Sequence, residues 1–162
     1  MNNEFYLADA IDVIEEVLQS GGDFRLFPKG TSMLPLIVQG KDSVVLRRRF
    51  DGGLKKNEIA FYRRTNGQFV LHRIAKVEKN GTYTMCGDNQ TELEYGITQS
   101  QIIGYVADIY KNESLLKMDS FKYKFYVAFW CCIPFRRVLR FPRRCLSKIK
   151  RIFLKMFKKA VD

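Results

Sequence analysis

The sequence predicts a mainly β protein in which a coiled antiparallel β-sheet domain follows an N-terminal helix and precedes a basic, helical C-terminal tail. Apolar residues recur at helical spacing near the start, short β-branched and aromatic segments alternate with glycine-rich turns in the middle, and positive charge is concentrated at the end. The expected domains are an amphipathic helix, a β-rich domain and a basic tail: residues 1–22, 23–118 and 119–162.

The first element is an amphipathic helix. The periodicity extends over residues 4–19, and acidic residues lie between its apolar positions. Ser20-Gly21-Gly22 then predicts the end of the helix. The apolar positions that form the predicted buried face are Leu7, Ile11, Ile14 and Leu18.

The middle of the chain predicts an antiparallel sheet with at least two hairpins. Asn-Gly pairs in "RTNGQ" and "EKNGT" are turn signals between strand-like segments, and "DGGLKKN" is a third turn. The segments expected to form strands are "FRLFPKG", "DSVVLRRRF", "EIAFYRR", "QFVLHRIAKVE", "TYTMCG" and "QIIGYVADIYK".

The basic tail predicts contact with an anionic membrane surface. Residues 121–162 contain 13 of the 28 Lys and Arg residues and one of the 17 acids, so their net charge is +12, while the first 120 residues carry −1. After Pro142, apolar residues line one helical face and basic residues occupy the rest, which is typical of a helix in a membrane interface. We expect association with the cytoplasmic face of the cell membrane, where each basic residue contributes about 1 kcal/mol. The alternative is a tail packed on the β domain with its charges solvated.

Neither a nucleic-acid partner nor a cofactor is expected. The tail places Phe153, Leu154 and Phe157 among its basic residues at amphipathic spacing, which disfavours a nucleic-acid interface. The four cysteines include no Cys-x-x-Cys pair and the chain has one histidine, so neither a metal nor another cofactor is expected.

"KGTSMLP" places Ser32 in a cramped turn, and a serine nucleophile needs a base to take its proton. The only histidine, His72, lies in the strand-like "FVLHRI", where alternation places it on one face with Val70 and Ile74. His72 is therefore either the base for Ser32 or a packed core side chain.

A third landmark is "MCGDNQ", which contains Asp88 and Asn89. In isolation these two residues are ordinary turn formers. Arg73 needs a counter-charge if it is buried, and Asp88 is a natural one.

In this order, the stretches "GTSMLP", "KDSVVL", "VLHRI", "CGDN" and "IIGYV" resemble the successive conserved boxes of type I signal peptidases and of the LexA-type self-cleaving peptidases of the same clan. The resemblance covers roughly residues 24–107. It implies an all-β assembly of coiled antiparallel sheets. Ser32 then matches the nucleophile, and His72 takes the position at which most bacterial relatives have a lysine, which is the pattern of the endoplasmic-reticulum and archaeal type.

The resemblance also suggests supporting roles. Gly30 permits the turn, and the oxyanion would be bound by the backbone N–H of Ser32, with or without Thr31. Arg73, Asp88 and Asn89 match the supporting positions. The catalytic group is either a Ser32–His72 dyad or a triad completed by Asp88 or Glu94.

These inferences predict a serine endopeptidase, similar to signal peptidase, that cleaves a membrane-proximal or leader-peptide substrate bound as an extended strand. The alternative is a catalytically inactive protein that keeps a peptidase fold and binds membranes or regulates a partner.

Overall fold

The computed structural model of the 162-residue chain describes residues 7–131, with side chains from Ala10 onward. The chain divides into two compact units, the first ending at Ser120 and the second beginning at Phe121. The predicted tail helix after Pro142 lies outside the described residues, as do Cys132 and Cys145.

The first unit begins with helix α1, Leu7–Gln19, and the predicted apolar face is confirmed at the three of its four positions whose side chains are described. Ile11, Ile14 and Leu18 are buried on it. The helix packs against strands β1, Phe24–Leu26, and β7, Ile102–Lys111. It ends where the Gly22 N–H donates to the Val17 carbonyl at 2.9 Å, a bond that turns the chain back toward the sheet.

The rest of the first unit is one open antiparallel sheet, which confirms the mainly β prediction. The strand order is β1-β2-β7-β3-β4-β5-β6, and β8 pairs with β7. All six predicted strand segments form strands, whereas β6 and β8 were not predicted. The remaining strands are β2 Asp42–Arg47, β3 Ile59–Arg63, β4 Phe69–Val77, β5 Tyr83–Cys86, β6 Glu94–Ile97 and β8 Ser114–Leu115; a 3₁₀ turn, Gln99–Gln101, precedes β7.

Two hairpins form at the predicted Asn-Gly turns. The β3–β4 turn is closed by the Arg64 N–H, which donates to the Gln68 carbonyl at 2.8 Å. The β4–β5 turn is closed by the Glu78 N–H, which donates to the Thr82 carbonyl at 2.8 Å. Glycine at the second turn position adopts a positive φ in both, 86° at Gly67 and 81° at Gly81, as a tight hairpin requires.

One face of β3, β4 and β5 supplies a hydrophobic cluster. Its buried members are Leu54, Ala60, Tyr62, Ile74, Tyr83, Met85 and Ile97, with Val70 packed against them. Because side chains alternate along β4, His72 lies on the same face, between Val70 and Ile74, as the sequence predicts.

The described part of the second unit is helix α2, Phe121–Phe129. Phe121, Phe125 and Phe129 recur every fourth residue, so they lie along one side of the helix, and they are 81%, 51% and 50% exposed. Adjacent rings contact each other, with 4.2 Å between the ring centroids of Phe125 and Phe129. Within residues 7–131, no helix has the length and apolar character needed to cross a membrane.

Candidate functional site

Ser32 lies in the turns that connect β1 to β2. Gly30 adopts a φ of 94°, in the left-handed region that favours glycine, so the chain can reverse direction just before the serine. Met33 and Ile37 are buried, and the Ile37 N–H donates to the Met33 carbonyl at 3.0 Å. The segment is thus anchored below Ser32, while the serine itself is half-buried.

The Ser32 turn is attached to the turn that follows β5. The Asn89 N–H donates to the Ser32 carbonyl at 2.7 Å, and the Asn89 side-chain amide donates to the Thr31 carbonyl at 3.0 Å. A Cβ at Gly87 would lie 2.7 Å from the same Ser32 oxygen, so only glycine allows this approach. The sequence-predicted residues Thr31, Ser32 and Asn89 are therefore brought together.

The same turn is held to β4 by a buried ion pair. Arg73 donates from Nε and Nη2 to the two carboxylate oxygens of Asp88 at 2.8 and 2.6 Å. Both side chains are buried. Arg73 also donates to the Asn57 carbonyl at 2.7 Å. In the sheet, Arg73 is paired with Cys86, the residue before the turn, so the ion pair fixes the turn to the strand that contains His72.

His72 lies against a tyrosine and a glutamate. The imidazole is 3% exposed, and its Nδ1 is 3.3 Å from the Tyr62 hydroxyl and 3.9 Å from Glu94 Oε2. The Tyr62 hydroxyl donates to the same Glu94 oxygen at 2.8 Å. Two acids were considered for a triad. Glu94 lies within 4 Å of the imidazole, whereas both carboxylate oxygens of Asp88 bind Arg73.

Glu94 is fixed by Arg64, which follows β3. The guanidinium donates from Nε and Nη2 to the two Glu94 oxygens at 2.9 and 2.7 Å. Burial alone would raise the pKa of Glu94, but the hydrogen bonds from Arg64 and Tyr62 hold it below its usual range. The carboxylate is therefore charged at neutral pH and accepts hydrogen bonds only.

The electrostatics keep His72 neutral. Burial is the main cause that lowers its pKa to about 4, and the positive charge of Arg64 lowers it further, against the opposing effects of the Glu94 and Asp88 carboxylates. A neutral imidazole has one nitrogen without a proton, which can accept a proton from a substrate or a nucleophile.

The dyad hydrogen bond predicted from the sequence is not formed. Within the described part of the chain, the Ser32 hydroxyl donates to no acceptor, His72 included. Catalytic hydrogen bonds often become short only when substrate is bound, so a Ser32–His72 hydrogen bond would have to form in the complex with substrate.

The backbone N–H groups near Ser32 that could bind an oxyanion differ in whether they already donate a hydrogen bond. The Gly30 N–H donates to the Gln39 side-chain oxygen at 2.6 Å. Among residues 7–131, the Ser32 N–H has no acceptor. Thr31 is exposed. The Ser32 amide is thus the better-placed of the expected donors for a developing negative charge.

Two residues of this site, Tyr62 and Arg64, were not predicted as functional. The alternation in "IAFYRR" places Tyr62 on the same face as Ala60, which is paired with His72 across the β3–β4 hairpin. That register was the available signal, because residues diagonal to each other on adjacent strands come into contact.

Between residues 7 and 131, no group of three or more His, Cys, Asp or Glu side chains could hold a metal ion. Cys86 is buried, and Cys131 is half-buried.

Comparison of the chain with protein-family models, with curated proteins and with solved structures finds no match.

Proposed function

We propose that the chain is a serine endopeptidase in which Ser32 is the nucleophile and His72 the general base. The observation that carries this proposal is the link between the two residues. The Ser32 carbonyl is bound by Asn89, and the neighbouring Asp88 is bound by Arg73, the residue after His72. The turn with the serine is therefore fixed against the strand that contains the only imidazole of the chain.

In the proposed reaction, the Ser32 Oγ attacks the scissile carbonyl carbon while His72 Nε2 takes the hydroxyl proton. The negative charge that forms on the carbonyl oxygen is stabilised by the Ser32 N–H. His72 then gives the proton to the leaving amine, and the C–N bond breaks to leave an acyl enzyme. A water molecule, deprotonated by the same nitrogen, releases the acyl group and restores the Ser32 hydroxyl.

Glu94 is the proposed third member. Its carboxylate lies 3.9 Å from the imidazole on the Nδ1 side, so its charge favours the imidazolium that forms when His72 takes the proton. Asp88 instead acts as structural support, because Arg73 binds both of its carboxylate oxygens.

The proposed substrate is a peptide bound as an extended strand. The sheet is open, and among the strands that the structure describes, β1 lies at one end and pairs with β2 alone. The chain passes from β1 directly into the Ser32 turn, so a peptide paired with the outer edge of β1 would lead toward Ser32. A membrane-proximal segment or a leader peptide is the substrate class proposed here.

A fluorophosphonate that reacts with activated serines tests the proposal without knowledge of the substrate. We expect one label per native chain, and none on Ser32→Ala or His72→Ala. Ser100→Ala is the matched control, because Ser100 is exposed and does not contact the site. Labelling of Ser32→Ala at the native rate would end the peptidase proposal. A native chain that folds and stays unlabelled would favour the inactive peptidase-fold protein, as the missing Ser32–His72 hydrogen bond does.

We also propose that the second unit binds an anionic membrane surface. The phenyl rings on α2 are exposed and lie beside exposed Lys122 and Lys124, so apolar and cationic groups are presented together. The net charge of +12 on residues 121–162 complements anionic lipid. The cytoplasmic face of the membrane is the location proposed on this charge.

Vesicle binding measures this second proposal. We expect the full chain to sediment with anionic phospholipid vesicles and not with zwitterionic ones. Replacing Phe125 and Phe129 by alanine should weaken binding by about a hundredfold or more, since each buried phenyl ring contributes about 1.5–3 kcal/mol. Phe50→Ala, which removes a similarly exposed ring from the first unit, should have little effect. Equal binding by all of these variants would contradict the proposal.

A further inference from the structure

Tyr62 lies between the proposed base and its carboxylate. Its hydroxyl is 2.8 Å from Glu94 Oε2 and 3.3 Å from His72 Nδ1. The two outer groups are 3.9 Å apart, so the phenol is the group that connects them by hydrogen bonds. The Tyr62 side chain is fully buried, which fixes its ring in this position.

The direction of the hydrogen bonds follows from the chemistry of the three groups. A phenol has a single proton, and burial followed by the hydrogen bond to Glu94 raises the pKa of Tyr62 well above its usual range. The Glu94 carboxylate can only accept, so the phenol proton points to it. The Tyr62 oxygen is then left to accept a hydrogen bond from His72, which must have its proton on Nδ1.

We propose that Tyr62 is a positioning residue that holds neutral His72 as the Nδ1–H tautomer, which leaves the lone pair of Nε2 available as the base. Free imidazole favours the opposite tautomer, so the protein has to supply an acceptor for Nδ1–H, and the phenol oxygen is that acceptor. No proton leaves Tyr62 in the reaction. When His72 becomes an imidazolium, the phenol transmits the effect of the Glu94 charge through polarised hydrogen bonds.

Packing also restricts the orientation of the imidazole. The centroids of the Tyr62 and His72 rings are 6.2 Å apart with an interplanar angle of 59°, and the residues are diagonal neighbours on paired strands. A half-turn of the ring about its Cβ–Cγ bond would put the Cδ2–H group where Nδ1 lies, facing the phenol oxygen, and would break the hydrogen bond.

The single histidine makes this inference directly measurable. Nitrogen NMR of ¹⁵N-labelled protein at pH 7 shows one pair of imidazole resonances, whose shifts give the tautomer. We expect the native chain to be mainly Nδ1–H, and Tyr62→Phe to shift the population toward Nε2–H. Tyr83→Phe is the matched control, since Tyr83 is buried in the same cluster but its hydroxyl binds Gln99 and the Leu54 N–H.

The catalytic part of the inference rests on the proposed function, and it has its own readout. Tyr62→Phe should slow labelling by the fluorophosphonate about tenfold, the effect of one hydrogen bond, while Tyr83→Phe should be labelled at the native rate.

The possible outcomes separate this inference from the proposed function. If Ser32 is labelled but the tautomer of His72 is unchanged in Tyr62→Phe, the positioning role is overturned and the peptidase proposal is left intact. A native chain that is already Nε2–H would overturn it without any variant. A tautomer shift in a chain that never labels would instead support the positioning role and contradict the peptidase proposal.

Discussion

Replacing Asp88 by alanine is expected to lower the free energy of unfolding by about 3–5 kcal/mol, because the change leaves the Arg73 guanidinium buried without its carboxylate. Arg73 and Asp88 are 3% and 1% exposed, so water cannot replace the lost partner. Arg73 keeps its bond to the Asn57 carbonyl, which compensates only in part. Urea unfolding followed by circular dichroism measures the difference.

The control for this prediction is an exposed ion pair. Asp23 accepts from Arg47 in the same two-pronged geometry, but the side chains are 46% and 43% exposed. Asp23→Ala should therefore cost less than about 1 kcal/mol. If both variants lost the same stability, burial would not be the reason for the effect of Asp88. Because Asp88 also fixes the turn that binds the Ser32 carbonyl, Asp88→Ala should in addition slow labelling of Ser32.

The strands that the sequence predicts share a local signal. β4 and β7 are rich in β-branched and aromatic residues, and the Asn-Gly pairs mark the ends of two hairpins. β6 has no such signal, because "EYGI" includes a glycine and only Ile97 is buried. It becomes a strand through pairing with β5, in which Tyr83 lies opposite Ile97 and Met85 opposite Glu94. That pairing is a tertiary effect, and it is what brings Glu94 to the site.

In the candidate site too, some residues can be selected from the local sequence, and others only from the way the strands pair. Motif order was enough to select Ser32, His72 and Asp88 as candidates, since each lies in a short stretch with a chemical reason for its residue types. The contact between His72 and Tyr62 depends instead on the register of the β3–β4 hairpin. A shift of one residue would place Tyr62 on the opposite face, so the phenol can be assigned only once the register of this hairpin is known.

Under the proposed mechanism, replacing Glu94 by glutamine is expected to lower kcat/KM, or the rate of labelling, by about 10³-fold, because the change removes the negative charge that would stabilise the imidazolium of His72. Glutamine keeps the size of the side chain, so packing around the site is largely preserved. Single-turnover labelling measures the rate, and urea unfolding measures any accompanying loss of stability.

Glu58→Gln is the control for the change at Glu94. Glu58 binds Arg49 through two hydrogen bonds of 2.9 and 2.7 Å, and the pair has an exposure similar to that of Arg64 and Glu94. Among the described residues, Glu58 has no contact with His72. Glu58→Gln should therefore have the same free energy of unfolding as Glu94→Gln, and it should be labelled at the rate of the native chain. Equal rates for the two variants would remove Glu94 from the catalytic group.

The pH dependence of activity distinguishes an effect of the Glu94 charge from an effect of Glu94→Gln on the structure. The proposed base, His72, must be neutral to accept a proton, and burial is the main cause that lowers its pKa to about 4. Activity in the native chain should therefore be lost as the pH falls through about 4, below the value of about 6.5 for a free imidazole. The Glu94 charge raises the pKa of His72, so Glu94→Gln should move this midpoint to still lower pH. Titration of the single imidazole by NMR gives the same midpoint without substrate, and an upward shift would contradict the assigned electrostatics.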